Sequence, residues 1–90
     1  MNNKLDNLRK QIDIVDEKLL ILLAKRIMFV RKISKFKKSH NIPILDKDRR
    51  NEVLNAQLSK GEELGFSKDL IKKLYSLIHK YSIKVQKESV

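Results

Sequence analysis

The sequence has no cysteine and no tryptophan, a single proline and only two glycines. Without cysteine there is no disulfide, no thiolate metal site and no cysteine nucleophile. No apolar run approaches the roughly 20 residues of a membrane-spanning helix. Residues 1–10 are polar and lack the apolar core of a signal peptide. We therefore expect a cytoplasmic protein with no membrane partner.

Negatively charged residues are also few. The chain has 11 acidic residues against 21 lysines and arginines, which gives a net charge of +10. Such an excess is typical of proteins that bind nucleic acids, anionic surfaces or anionic small molecules. Aromatic residues make up only 6% and do not alternate with basic residues as in a base-stacking surface. The pattern therefore argues against a nucleic-acid partner.

What the chain does have is a long apolar repeat with steps of three and four residues, typical of a helix with one apolar face. A helix over this repeat is roughly 48 Å long, whereas a compact domain of 90 residues has a radius of gyration of about 12 Å. The rest of the chain is too short to cover it, which predicts a homodimer. The repeat comprises Leu5, Leu8, Ile12, Val15, Leu19, Leu22, Phe29, Ile33 and Phe36.

The remaining pattern predicts an all-α protein with three helices in a single domain, residues 1–90. The long first helix spans about 3–39 and ends before Pro43. The second helix begins near Asp46 or Asp48 and ends by Gly61. The third has Ser67 as its N-cap. No segment alternates with a period of two, so we expect no strands.

One position of the apolar repeat is occupied by Arg26, which is costly on a buried face unless an anion or carboxylate pairs with it. Lys37 lies about 16 Å further along the helix and only about 20° around it, so both side chains can close on one small anion. Arg9 is about 25 Å from Arg26 on a different face, so any contribution from it must come from a second subunit. The alternatives are an Arg26 neutralised by an acidic residue and a solvated Lys37.

Other polar residues are weaker candidates. Arg49 and Arg50 lie in the first turn of helix 2 against the helix dipole, which hints that an anion or a carboxylate holds one of them. Ser82 and Gln86 border the apolar face of helix 3, either at a site or at a solvent edge. The two histidines, His40 and His79, have no partner at metal-ligand spacing and receive no role. We expect neither a metal nor a cofactor.

Taken in order and at their spacing, these residues resemble the all-helical class of chorismate mutase, from about Leu5 to Gln86. The resemblance implies an intertwined homodimeric helical bundle whose two sites each take one residue from the partner chain. The matching segments are Leu8-Arg9 with Ile12, Val15-Asp16-Glu17-Lys18-Leu19-Leu20, Leu22-Leu23-Ala24 through Arg26, Lys35-Phe36-Lys37, Ile42-Pro43-Ile44 with Asp46, Arg49, Ser82 and Gln86.

The implied activity is the rearrangement of chorismate to prephenate, in the shikimate branch toward phenylalanine and tyrosine. The resemblance implies that the substrate carboxylates are held by two arginines, Arg26 of one chain and Arg9 of the other. Lys37 and Gln86 match the groups on the ether oxygen. The remaining matches are Asp46 and Ser82 around the hydroxyl and the ring carboxylate, and Arg49 as a supporting arginine.

Position 50 departs from the family, because Arg50 replaces a glutamate that accepts the hydrogen bond of the substrate hydroxyl. Arg50 then either pairs with a carboxylate such as Asp46 or contacts a substrate carboxylate. A sister group of the same fold, the isochorismate-pyruvate lyases, also lacks this glutamate. The alternatives are therefore such a lyase, a mutase of a related chorismate derivative, or a non-catalytic basic helical dimer that binds nucleic acid or a partner helix.

Overall fold

The computed structural model describes residues 3–88, which form three α-helices and no strand. Helix α1 spans Asn3–Ser39, α2 spans Lys47–Glu63 and α3 spans Lys68–Glu88. The predicted all-α fold with a long first helix is confirmed. None of the helices within residues 3–88 combines the length and the apolar character that crossing a membrane requires.

Helix α2 continues past Gly61 to Glu63, so the prediction that it ends by Gly61 is wrong. Gly61 is buried against α3, and a Cβ atom added there would lie 2.6 Å from Cγ1 of Ile71. The glycine is therefore needed for close packing of two helices rather than for a turn. The residue that ends α2 in a left-handed conformation is Gly65, with φ of 86°.

The other helix ends follow local rules that the sequence shows. Asp46 and Ser67 are N-caps, since their side chains accept the backbone N–H groups of Arg49 at 3.0 Å and Leu70 at 3.1 Å. Two residues after Ser39, the last residue of α1, Asn41 has a left-handed conformation with φ of 54°. The N–H of Ile42 then bonds back to the carbonyl of Lys37 at 2.8 Å, which turns the chain sharply after α1.

Helix α3 packs against both other helices, and the core that they share is small. Its buried apolar residues within 3–88 are Val30, Ile71 and Val85, none of them completely inaccessible. The extents are 61 × 27 × 15 Å and the radius of gyration is 16.9 Å, against about 12 Å for a compact chain of this length. The elongation comes from α1, which extends beyond the other two helices.

We call residues 3–25 the N-terminal arm of α1 and residues 26–39 its C-terminal segment. Every residue of the arm is exposed, apolar ones included. The chain has 7845 Å² of accessible surface, whereas a globular monomer of this mass has about 5,500 Å². An apolar face of this size is typical of a subunit interface. The intertwined homodimer stays a prediction, with the arm as its expected interface.

Candidate active site

The C-terminal segment of α1, the connector after it, the start of α2 and one face of α3 surround a cavity of about 350 Å³. This volume suits a small molecule. The cavity is lined by every residue that the sequence singled out for the site except Arg9. Those residues are Arg26, Lys37, Asp46, Arg49, Arg50, Ser82 and Gln86.

Arg26 is half-buried on the inner side of α1, where a hydroxyl on α3 holds its guanidinium. Its Nη1 donates to Oγ of Ser82 at 2.7 Å, and this hydroxyl donates in turn to the carbonyl of Ile78 at 2.9 Å. Ser82 is only 5% exposed, so the alternative interpretation, in which it lies at a solvent-exposed edge of α3, is wrong. Within residues 3–88 Arg26 forms no ion pair, which leaves its positive charge available to an anion.

Lys37 reaches the cavity from the end of α1 and is only partly exposed. Its Nζ donates to the backbone carbonyl of Ile44 in the connector at 2.9 Å. An ammonium group has three donors, so this bond orients the side chain and leaves donors for a ligand. The sharp turn after α1 makes the contact possible because it brings the connector back beside the last turn of the helix. Lys37 is therefore not a freely solvated lysine.

Gln86 lies on the same face of α3, 9% exposed, and its Oε1 has no hydrogen-bond partner among residues 3–88. A buried amide oxygen without a partner is destabilising, which is typical of a group that meets a ligand. The backbone beside it is fixed to α1, since Ser34 Oγ donates to the carbonyl of Gln86 at 3.2 Å. Gln86 thus offers an amide to the cavity from a rigid position.

The start of α2 contributes two arginines with different surroundings. Arg49 forms an ion pair with Glu52, and the two side chains are 65% and 68% exposed. The prediction that a carboxylate holds one of these arginines is thus confirmed for Arg49. Arg50 lines the cavity but forms no ion pair within the described part of the chain. The suggested pairing of Arg50 with Asp46 is therefore wrong for this conformation.

Arg9 lies in the exposed arm and does not line the cavity. It precedes Arg26 by 17 residues, about 25 Å of helix. In a single chain the structure therefore does not bring Arg9 together with the other predicted site residues. Its role stays a prediction that requires a second subunit.

The sequence interpretation missed part of the α3 wall. Lys72, Tyr75, Ser76 and His79 also line the cavity. The signal was helical spacing, since these positions recur three, four and seven residues apart and His79 precedes Ser82 by three. Burial lowers the pKa of His79 below its usual 6.5, and the nearby guanidiniums of Arg50 and Arg26 lower it further. These effects favour the neutral imidazole.

Cationic groups outnumber carboxylates in this cavity. Its walls carry a single carboxylate, Asp46, which is partly occupied in capping α2. Within residues 3–88 no group of three His, Asp or Glu side chains lies close enough together to hold a metal ion. The cations that surround the cavity are Arg26, Lys37, Arg49, Arg50 and Lys72. Such walls can bind a small molecule with more than one negative charge.

The fold and the cavity define a small all-helical protein with an anion-binding site between its helices. The chain belongs to the chorismate mutase type II family, whose model matches residues 8–87. Family membership narrows the possible functions, whereas the fold alone does not, because small all-helical proteins have many functions.

Curated relatives support the assignment and are much longer proteins. The T-protein of Haemophilus influenzae is 39% identical over 67 residues, which are 74% of this chain and 18% of that protein. The bifunctional chorismate mutase/prephenate dehydratase of Buchnera aphidicola from Acyrthosiphon pisum is 32% identical over 97% of this chain and 23% of its own length. The Escherichia coli K12 protein of the same name is 33% identical over 93% of this chain and 22% of its own length. The chain thus spans about a fifth of each relative.

Proposed function

We propose that this protein is a chorismate mutase, which converts chorismate to prephenate in the cytoplasm, on the route toward phenylalanine and tyrosine. The observation that carries the proposal is the convergence of Arg26, Lys37, Ser82 and Gln86 on one cavity. Membership of the chorismate mutase type II family supports it. Dianionic chorismate matches the excess of cations around the cavity.

The reaction breaks one C–O bond and forms one C–C bond within the same molecule. It needs no general base and no covalent intermediate, so the protein contributes by holding the flexible substrate in its reactive conformer. In our proposal Arg26 binds a substrate carboxylate through its guanidinium, which Ser82 orients from behind at 2.7 Å. A fixed guanidinium can form two parallel hydrogen bonds to a carboxylate.

As the C–O bond breaks, negative charge grows on the ether oxygen. The proposed donors to this oxygen are Nζ of Lys37 and the amide Nε2 of Gln86. Both are held before substrate arrives, Lys37 by the carbonyl of Ile44 at 2.9 Å and the Gln86 backbone by Ser34 at 3.2 Å. Donors fixed in advance stabilise developing charge without reorganising during the reaction, and this is the main source of the proposed rate enhancement.

In the proposed homodimer, Arg9 of the partner subunit completes each cavity and holds the second carboxylate. Support comes from the bare arm, whose every residue is exposed in the single chain. Helix geometry supports it too, because about 25 Å separates Arg9 from Arg26 along α1. Asp46 and Arg49 then border the substrate, with Arg49 held by Glu52.

Isochorismate-pyruvate lyase is the second candidate, as is a mutase of a related chorismate derivative. The observation that favours them is Arg50, which lines the cavity where the mutase pattern has a glutamate. A non-catalytic basic module is disfavoured, because the basic residues of the site converge on a cavity rather than on a flat surface.

The test is to add purified protein to chorismate, follow the loss of its ultraviolet absorbance, and identify the product. We expect prephenate, and a catalytically dead Arg26→Ala variant with unchanged helicity. A parallel assay with isochorismate tests the lyase. Pyruvate release from isochorismate without prephenate formation from chorismate would replace the proposed function with the second candidate.

A further inference from the structure

His79 is the least explained residue of the cavity. It lies on the face of α3 that carries Ser82, one helical turn before it, and it lines the cavity with Arg26 and Arg50. Its side chain is only partly exposed, and it forms no hydrogen bond to another residue within 3–88. A histidine without a partner in a cavity has both ring nitrogens available to a ligand.

The surroundings of His79 favour its neutral form. Burial and the charges of Arg50 and Arg26 all lower its pKa. A neutral imidazole has one nitrogen that accepts a hydrogen bond, which an arginine or a lysine cannot do. The charged and titratable groups around the cavity are Arg26 and Lys37 from α1, Asp46, Arg49 and Arg50 at α2, and Lys72 and Tyr75 from α3.

Chorismate has a ring hydroxyl besides its two carboxylates and its ether oxygen. Most side chains of the cavity are donors, which suit the carboxylates and the ether, whereas the hydroxyl also has a proton to donate. Two other acceptors are already engaged, since Asp46 caps α2 and the amide of Gln86 faces the ether oxygen in our proposal. The resemblance places the acceptor for this proton at position 50, where this chain has an arginine. His79 and Arg50 line the same cavity, so the imidazole offers an acceptor to the same bound molecule.

We propose that His79 accepts the hydrogen bond of the substrate hydroxyl, in place of the glutamate that is absent at position 50. The inference rests on the proposed function and assigns the hydroxyl recognition to α3 instead of α2.

The first experiment compares His79→Leu with His79→Gln, whose amide oxygen still accepts a hydrogen bond. We expect His79→Leu to lower kcat/KM for chorismate by at least about tenfold and His79→Gln by less than about threefold. On a chorismate analogue without the ring hydroxyl, both variants are expected to match wild type. An equal loss on the analogue would show a merely structural role and overturn the proposal.

The second experiment uses the pH profile of kcat/KM. Because the neutral imidazole is the accepting form, the wild-type rate is expected to fall as pH decreases, with an inflection below 6.5. His79→Gln is expected to lose this inflection. His40→Gln is the matched control, since His40 is the other histidine and is exposed at the end of α1. His40→Gln is expected to keep the inflection. An inflection that survives in His79→Gln would overturn the proposal.

A double variant separates hydroxyl recognition from folding. Arg50→Glu introduces a new acceptor on α2, so we expect it to restore most of the activity that His79→Leu loses. Absence of rescue, in a double variant with wild-type helicity and mass, would contradict the assignment. A different result would refute the proposed function itself: wild-type protein that forms no prephenate from chorismate. An active wild type whose His79 variants are also fully active would overturn only this inference.

Discussion

The two parts of α1 have opposite surroundings in the same continuous helix. In the C-terminal segment, Val30 and Ser34 are buried against α3. In the N-terminal arm all residues are exposed, including large apolar ones such as Leu19 at 56% and Leu20 at 67%. The same apolar repeat runs through both parts. Helix α3 packs against only one part, and on a face beside the repeat, since Phe29, Ile33 and Phe36 remain 49–57% exposed. A second subunit is the partner we expect for the repeat.

The largest expected effect is on assembly and follows from a charge in the arm. Leu19→Glu keeps helix propensity but places two carboxylates in the expected interface, with about 3–6 kcal/mol of apolar burial lost per dimer. Dimer association is then expected to weaken by at least about a hundredfold. Sedimentation measures it, with wild type near twice the 10.6 kDa chain mass.

Leu77→Glu is the matched control for this change, since Leu77 is 67% exposed on α3 and lies outside the apolar repeat. It is expected to remain dimeric. A folded wild-type monomer at micromolar concentration would overturn the dimer itself, and equal dissociation by both variants would show that the arm is not the interface.

The second prediction connects the arm of one chain with the cavity of the other. Arg9→Ala and Arg26→Ala are each expected to be inactive. After subunit exchange in an equal mixture, about half of the dimers are mixed, and each has one intact site. Activity is therefore expected to return to about a quarter of wild type. If proven exchange restores nothing, Arg9 does not serve the partner's site.

The third prediction concerns Arg26, where the exposed arm meets the packed segment. A lysine there keeps the charge but loses the planar fork that matches a carboxylate. We expect Arg26→Lys to lower kcat/KM by at least about tenfold, a loss of about 1.4 kcal/mol, with unchanged circular dichroism. Equal activity would reduce Arg26 to a structural cation held by Ser82.

The smallest expected effect is in the packed segment. Ser34→Ala removes the buried bond to the carbonyl of Gln86, at a cost of about 1 kcal/mol in the free energy of unfolding. Ser39→Ala removes an exposed bond to the carbonyl of Phe36, 2.9 Å long, and is the control. Denaturant unfolding is expected to separate the two variants. Equal midpoints would show that this contact does not hold α3 to α1.

Helix positions were predictable because each has a local signature. The sequence shows the helical period of the apolar residues. It also shows the N-caps Asp46 and Ser67, and Pro43 after α1. The end of α2 was mispredicted because the glycine at position 61 is required by a tertiary contact. Ile71 of α3 packs closely against it, and no local sequence pattern encodes that contact.

The site was predictable to a similar extent and for similar reasons. A resemblance identified the residues that line the cavity from all three helices. The carbonyl of Ile44 that orients Lys37 was not predictable, since a backbone acceptor has no side-chain signature. His79 was visible only as a position on the face of α3, and its proposed role depends on the cavity that it shares with Arg50.

The exposed arm has a thermodynamic consequence for the proposed enzyme. If each cavity is complete only when two chains associate, substrate binding and association are linked equilibria. Chorismate is then expected to tighten the dimer by the same factor by which dimerisation tightens chorismate binding. On dilution, specific activity and Tm are then expected to fall together. In such an enzyme, the concentration of the protein in the cell would set its apparent affinity for substrate.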